Sequence, residues 1–239
     1  MTTRDAAEES ASKAQASAHV GHRARLRKRL LDSGALALAD HELLELVLFA
    51  AYPRGDTKPL AKRLLKKFNG YNAVIRAEIA ELKEVEGVGD AAVAALKAVE
   101  AASLKLLEND LRELPILRNW QAVHAYTRAR LGFNKVESLW VLYLNTKNRL
   151  ISSEEVQRGT LNQTAIYPRE LVRKALAHHA AAIIMVHNHP SGDVTPSKED
   201  IELTRAVQEA LKVVSIGLVD HLIVGPHEAV SSLKNLGVI

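Results

Sequence analysis

Apolar positions in the first half of the chain recur with the period of a helix. Leu26, Leu30 and Leu31 in HRARLRKRLLDSG, and Leu43, Leu44, Val47 and Leu48 in HELLELVLFAA, each line one helical face. Gly34 stops the first of these helices and Asp40 is placed to cap the second. A further helix is predicted from about residue 58 in KPLAKRLLKKFNG, ending at Gly70, and EIAELKEVEGVGDAAVAALKAVEAASLKLLE reads as two helices joined at EGVGD. Past Pro115 the period changes. HAYTRARLG closes a last helix, and ESLWVLYLNTKNRLISSEEVQ reads as two strands around a tight Asn/Lys/Asn turn. PRELVRKALAHH then predicts a helix with Pro168 at its first position, and AAAIIMVHNH a buried strand. PSKEDIELTRAVQEALKVV predicts a second helix, with Thr195 as N-cap and Pro196 as first helical residue, and GLVDHLIVG another strand. The pattern is that of an α+β protein, an all-helical domain over 21–114 followed by a sheet domain flanked by helices over 115–239. Residues 1–20, rich in Ala, Ser and Glu, show no apolar periodicity and are expected to form a disordered tail.

Composition narrows the chemistry. A length of 239 residues fits two modest domains, and aromatics at 4% leave cores that must be mostly aliphatic. The absence of cysteine excludes disulfides, thiolate nucleophiles and Cys-ligated zinc, so any metal site must use histidine and carboxylate. That composition suits the cytoplasm. AAAIIMV, at 180–186, falls far short of the roughly 20 apolar residues that a membrane-spanning helix needs, and no export signal is visible, so no membrane partner is expected. Net charge is only +4 and neither half is strongly basic, which makes bulk charge a weak pointer to nucleic acid.

The stretch HNHPSGDVTPSKED, residues 187–200, concentrates polar chemistry at the end of a buried strand. Side chains alternate along a strand, so His187 and His189 project from one face and can share a ligand. Pro190, Ser191 and Gly192 turn the chain into the next helix, where Ser197 and Asp200, three apart, share the first turn. Two imidazoles and one carboxylate, His187, His189 and Asp200, form the three-protein-ligand set of catalytic Zn2+, which leaves a fourth position for water. A purely structural alternative places Asp200 by the helix dipole and Ser197 by its nearness to the helix N-terminus. A Ser/His/Asp triad would use the same residue types, but no Gly-x-Ser-x-Gly elbow surrounds Ser197.

His187, His189 and Pro190 followed by Ser197 and Asp200 resemble the metal motif of the JAMM/MPN+ metalloproteases. More closely, HNHPSGDVTPSKED together with GTLNQTAIYPREL and LVDHLIVG resembles the bacterial RadC family, and ELLELVLF and EGVGDAA are similar to that family's N-terminal region, so the likeness spans roughly 21–239. The resemblance implies an MPN/JAMM-type domain with a mixed sheet, a bound zinc, and hydrolysis of an amide or isopeptide bond in a protein or peptide substrate. It also implies an upstream glutamate before an apolar strand. Glu137, opening ESLWVLYLN, fits that place, whereas its rivals Glu154 and Glu155 are expected at the far end of the second strand and read as solvated charges. Glu137 would then be general base and Ser197 a hydrogen-bond donor to the developing oxyanion or the water.

The remaining features carry less. His178 and His179 end a helix, where its dipole favours positive charge, and Asp220 or His221 either supports the metal ligands or forms a satisfied core pair, the reading preferred here. EGVGDAAVAAL resembles a helix-hairpin-helix, in which Gly87 and Gly89 let backbone amides approach a DNA phosphate, with Lys83 and Lys97 nearby. Glu84, Glu86 and Asp90 oppose that use, and a glycine turn between two packed helices explains the segment as well.

Overall fold

The structure, a computed structural model, describes residues 21–159, 167–226 and 229–239. The expected tail, and most of GTLNQTAIYP, lie outside the described residues. The chain divides into two compact units between Ser103 and Leu104. Among the described residues no helix is long and apolar enough to cross a membrane.

The first unit is helical. A helix over 21–33 (α1) is followed by α2 (Asp40–Leu48), α3 (Lys58–Phe68), α4 (Tyr71–Arg76), α5 (Ile79–Lys83) and α6 (Asp90–Glu113), inside which the division falls. Leu44 and Leu48 of α2 meet Leu64 of α3, Val74 of α4, Leu82 of α5 and Leu96 of α6 in one aliphatic core. Asp40 does not cap α2. Ala39, in extended conformation, is the N-cap and Asp40 is the first helical residue, where a carboxylate still favours the dipole. The Glu42 carboxylate accepts the Ala39 amide at 3.0 Å, supplying the contact that the alanine side chain cannot. At the end of α3, Asn69 takes the left-handed conformation and precedes Gly70. Helix α4 has six residues, too few for a periodic pattern to announce it.

The second unit holds α7 (Trp120–Leu131), β1 (Ser138–Leu144), β2 (Leu150–Arg158), α8 (Pro168–Ala177), β3 (Ala182–Asn188), α9 (Lys198–Val213), β4 (Gly217–Val224) and β5 (Val230–Ser232). The strands form a mixed sheet in the order β2-β1-β3-β4-β5, with β3 and β4 parallel and the other neighbours antiparallel. The chain is thus α+β, helical first and sheet-containing second. Strand alternation divides the core between the two faces of the sheet. Leu142, Leu144, Ile184, Val186, Leu222 and Val224 pack with Val123 and Tyr126 of α7. Leu139, Val141, Ile183 and Met185 pack with Leu171 of α8 and with Val207 and Leu211 of α9 on the other. By the same alternation His187 and His221 face α9, and Asn188 faces away from it. Helix α9 presents a buried stripe of Asp200, Thr204, Val207 and Leu211 to the sheet, so its first turn abuts the histidine-bearing end of β3.

Helix α9 begins two residues later than Thr195-Pro196 suggests. Asp193 accepts the Thr195 amide at 2.9 Å within the loop, and Ser197 is the N-cap. Its hydroxyl accepts the Asp200 amide at 3.0 Å while the Asp200 carboxylate accepts the Ser197 amide at 2.8 Å. This reciprocal capping satisfies two otherwise orphaned donors and outcompetes the single contact that threonine could make.

Candidate metal centre

Three polar side chains converge where β3 ends against α9. His187 Nε2 and His189 Nε2 are 2.9 Å apart, Asp200 Oδ1 lies 3.2 Å from His187 Nε2, and Asp200 Oδ2 lies 3.6 Å from His189 Nε2. His187 and Asp200 are buried, whereas His189 lies on the accessible side. His189 stands one residue beyond the strand, but its amide donates to the Val224 carbonyl at 2.9 Å, continuing the pairing with β4 and keeping its side chain on the His187 face.

Tetrahedral ligands held about 2.0 Å from one ion stand roughly 3.3 Å from each other. The two separations that share His187 Nε2, 2.9 Å to His189 Nε2 and 3.2 Å to Asp200 Oδ1, lie close to that value, while the 3.6 Å contact of His189 is to the other carboxylate oxygen, Oδ2. The donor chemistry agrees. His189 Nδ1 faces the Asp193 carbonyl at 2.6 Å, an acceptor only, so Nδ1–H donates there and, in the neutral tautomer, Nε2 presents a lone pair to the other two groups. Asp200 Oδ2 accepts from both the amide and the hydroxyl of Ser197, at 2.8 and 2.7 Å, which leaves Oδ1 as the less encumbered ligand atom. Burial pushes the Asp200 carboxyl up, but hydrogen bonding and charge from His187, with the Ser197 hydrogen bonds, outweigh it and hold the group well below the usual carboxylate range. Asp200 is therefore an anion at neutral pH.

Glu137 joins this group from the residue that precedes β1. Together with His187 and His189 it offers ligand atoms that all lie within 4.8 Å of one another. It stands immediately before Ser138, the first residue of β1, and its carbonyl accepts the Gly159 amide at 2.8 Å. Its segment is tied to β3 by the residue between the two histidines. Asn188 Oδ1 accepts the Ser138 amide at 2.9 Å and the Ser138 hydroxyl at 3.2 Å, and Asn188 Nδ2 donates to the carbonyls of Asn134 and Val136 at 3.1 and 3.2 Å. From sequence, Asn188 reads only as the end of a strand. Its role depends on partners some fifty residues earlier, which no local pattern exposes.

Other expectations need correction. Glu154 is not a solvated charge: Tyr143 donates to it at 2.7 Å, Lys174 lies 3.0 Å away and His178 3.5 Å away, the last stacked on the Tyr143 ring. Burial pushes Glu154 up, but these donors outweigh it and lower its carboxyl. Asp220 and His221 are both buried and hydrogen-bonded, and the Asp220 carboxylate accepts the His221 amide at 2.7 Å, but their side chains part to different partners. Asp220 turns to the Ser232 hydroxyl and the Lys234 amide, while His221 Nε2 lies 2.9 Å from His187 Nδ1 and His221 Nδ1 lies 2.6 Å from the Thr204 hydroxyl. Burial, and secondarily the His187 charge, lowers the His221 pKa well below its ordinary value. Thr204 carries no motif of its own in the sequence, and only its spacing of four from Asp200 places it on the same helical face.

In the first unit Gly87 adopts a positive φ of 88°, as a tight turn between α5 and α6 requires. Tyr52 donates its hydroxyl to the Gly87 carbonyl, and the Gly89 amide faces the same hydroxyl at 3.4 Å. Lys83 pairs with Asp90 at 2.7 Å and Lys97 with Glu100 at 2.8 Å, so each ammonium is engaged by a carboxylate of the chain itself.

Comparison with known proteins follows the same division. A RadC-like JAB domain family model matches residues 117–238, and a UPF0758 N-terminal family model matches residues 18–94. A UPF0758 protein of Rhodobacter capsulatus is 47% identical over 200 residues, covering 84% of this chain and 94% of the relative. A UPF0758 protein of Ruegeria pomeroyi is 44% identical over 204 residues, covering 85% and 91%. With its two matched regions in order, and the JAB region enclosing Glu137, His187, His189 and Asp200, the chain belongs to the RadC-like UPF0758 family.

Proposed function

We propose that this protein is a zinc-dependent hydrolase of amide or isopeptide bonds, with His187, His189 and Asp200 as metal ligands and Glu137 as general base. The observation that carries the reading is the convergence of two imidazole nitrogens and one buried carboxylate at tetrahedral ligand spacing, with a second carboxylate beside them. Zinc held there would polarise a substrate carbonyl and bring the pKa of water towards about 7. The residues of the chain do the rest. Glu137 takes the proton of the attacking water and later delivers it to the leaving amine. Asp200 is aimed by the two Ser197 hydrogen bonds. Ser197 can serve the oxyanion only by rotating its hydroxyl away from Asp200, so orienting the carboxylate is its resting task. The exposed flank of His189 is the side from which substrate would enter.

Purified protein, gently prepared or supplied with zinc, should bind one equivalent by metal analysis. Asp200→Asn should weaken zinc binding roughly a hundredfold, since apparent zinc affinities of about 10–16 kcal/mol spread over four ligands leave about 3 kcal/mol for each. Absence of stoichiometric zinc from the wild-type protein, or equal affinity in the variant, would overturn the ligand assignment.

A further inference from the structure

We propose that Thr204 and His221 are positioning residues that set the direction of the protons behind His187, so that its Nε2 turns a bare lone pair towards the metal. The inference rests on the metal reading above, but its geometry can be traced from the opposite end. The Thr204 hydroxyl lies 2.5 Å from the carbonyl oxygen of Asp200, one helical turn earlier. A carbonyl can only accept, so the hydroxyl proton goes there. The same oxygen is 2.6 Å from His221 Nδ1 and, its proton spent, must accept from Nδ1–H. A neutral His221, wholly buried, then has only a lone pair on Nε2, which faces His187 Nδ1 at 2.9 Å. His187 Nδ1 must therefore donate, and in the neutral imidazole that a metal requires the single proton sits there, leaving the Nε2 lone pair 2.9 Å from His189 Nε2 and 3.2 Å from Asp200 Oδ1.

The direction of three successive hydrogen bonds thus follows from one backbone carbonyl. His189 reaches the same state by a single step, donating Nδ1–H to the Asp193 carbonyl. The two imidazoles are oriented by separate devices, one through the loop and one through α9 and β4. Because the carbonyl that ends the relay belongs to Asp200, displacement of α9 would disturb a carboxylate ligand and the tautomer of an imidazole ligand together. Hydrogen-bond partners behind a metal ligand of this kind typically alter metal affinity by about 10–100-fold when removed.

The test uses the full chain, labelled with 15N in its imidazoles, in metal-free and zinc-loaded forms. His221 should carry its proton on Nδ1 in both, and His187 on Nδ1 when zinc is present. Thr204→Val should abolish that His221 signature and weaken zinc binding, measured by chelator competition, by about 10–100-fold. Thr204→Ser keeps the hydroxyl and should hold affinity within about twofold. A His221 proton on Nε2 in the wild-type protein would overturn the proposal even if Thr204→Val did not fold. So would unchanged affinity and tautomer in a folded Thr204→Val protein. Failure of the wild-type chain to bind zinc would instead defeat the metal reading, with the His221 tautomer in metal-free protein still deciding the relay.

Discussion

Glu137→Gln should retain zinc with nearly unchanged affinity while losing about 10²–10⁴-fold of hydrolytic rate, the range over which a positioned general base accelerates proton transfer. The reason for the split lies in the placement of the carboxylate. Two imidazoles and Asp200 already satisfy three positions at ligand spacing, whereas Glu137 approaches from the residue that precedes β1. Glutamine is isosteric and can still be held beside the histidines, but its amide cannot take a proton from water at neutral pH. Its segment should also stay in place, because that segment is tied through the Ser138 amide, Asn134 and Val136 rather than through the Glu137 side chain. The check is to incubate zinc-loaded wild-type and variant protein with a cell lysate, count newly exposed N-termini and released isopeptide-linked lysines by mass spectrometry, and titrate zinc in parallel. Equal cleavage by both proteins would remove Glu137 from the chemistry. Loss of zinc together with cleavage would make it a ligand instead of the base, an outcome compatible with its distance from the two imidazoles.

The architecture and the site differ in how far they can be read from sequence. Residues related by period are legible: β1, β3 and β4 are near-continuous apolar runs, and α9 shows its buried stripe at 200, 204, 207 and 211. Short elements are not, since the six residues of α4 and the three of β5 complete too little of any repeat and are stabilised by packing and sheet pairing. His187 and His189, two apart at a strand end, and Ser197 and Asp200, three apart at a helix start, declare shared faces in the sequence itself. The supports behind them do not. Thr204 and His221 are 17 residues apart and His187 and His221 are 34 apart, so their contacts exist only because β3 and β4 lie parallel beneath α9. The later start of α9 has a local cause, because Thr195 and Ser197, two residues apart, are both good caps, and the reciprocal bond with Asp200 decides between them.

Asn188 is the position where fold and site are least separable, and Asn188→Leu should cost about 3–5 kcal/mol of unfolding free energy, from roughly 1–3 kcal/mol for each buried polar group left without a partner. The side chain is only 1% exposed. Its removal would strand the Ser138 amide and the carbonyls of Asn134 and Val136, while leucine of similar volume would leave no compensating cavity and offer no donor or acceptor. The backbone of β3 should survive, because Asn188 remains paired with Val224 and the His189 amide with the Val224 carbonyl. His187, His189 and Asp200 are therefore expected to keep their mutual spacing, and zinc affinity to fall by less than about tenfold, below the usual effect of losing a direct support of a metal ligand. Hydrolysis should fall much further, since Glu137 would be released from the segment that aims it, and misplacement by about 1 Å can cost about a hundredfold in rate. Denaturant unfolding, zinc competition and lysate cleavage measured on the same variant separate these effects. An Asn188→Leu protein of wild-type stability would show that the hydrogen bonds across β1 and β3 are replaceable, and one that is destabilised yet fully active would show that Glu137 is aimed by something other than this clamp.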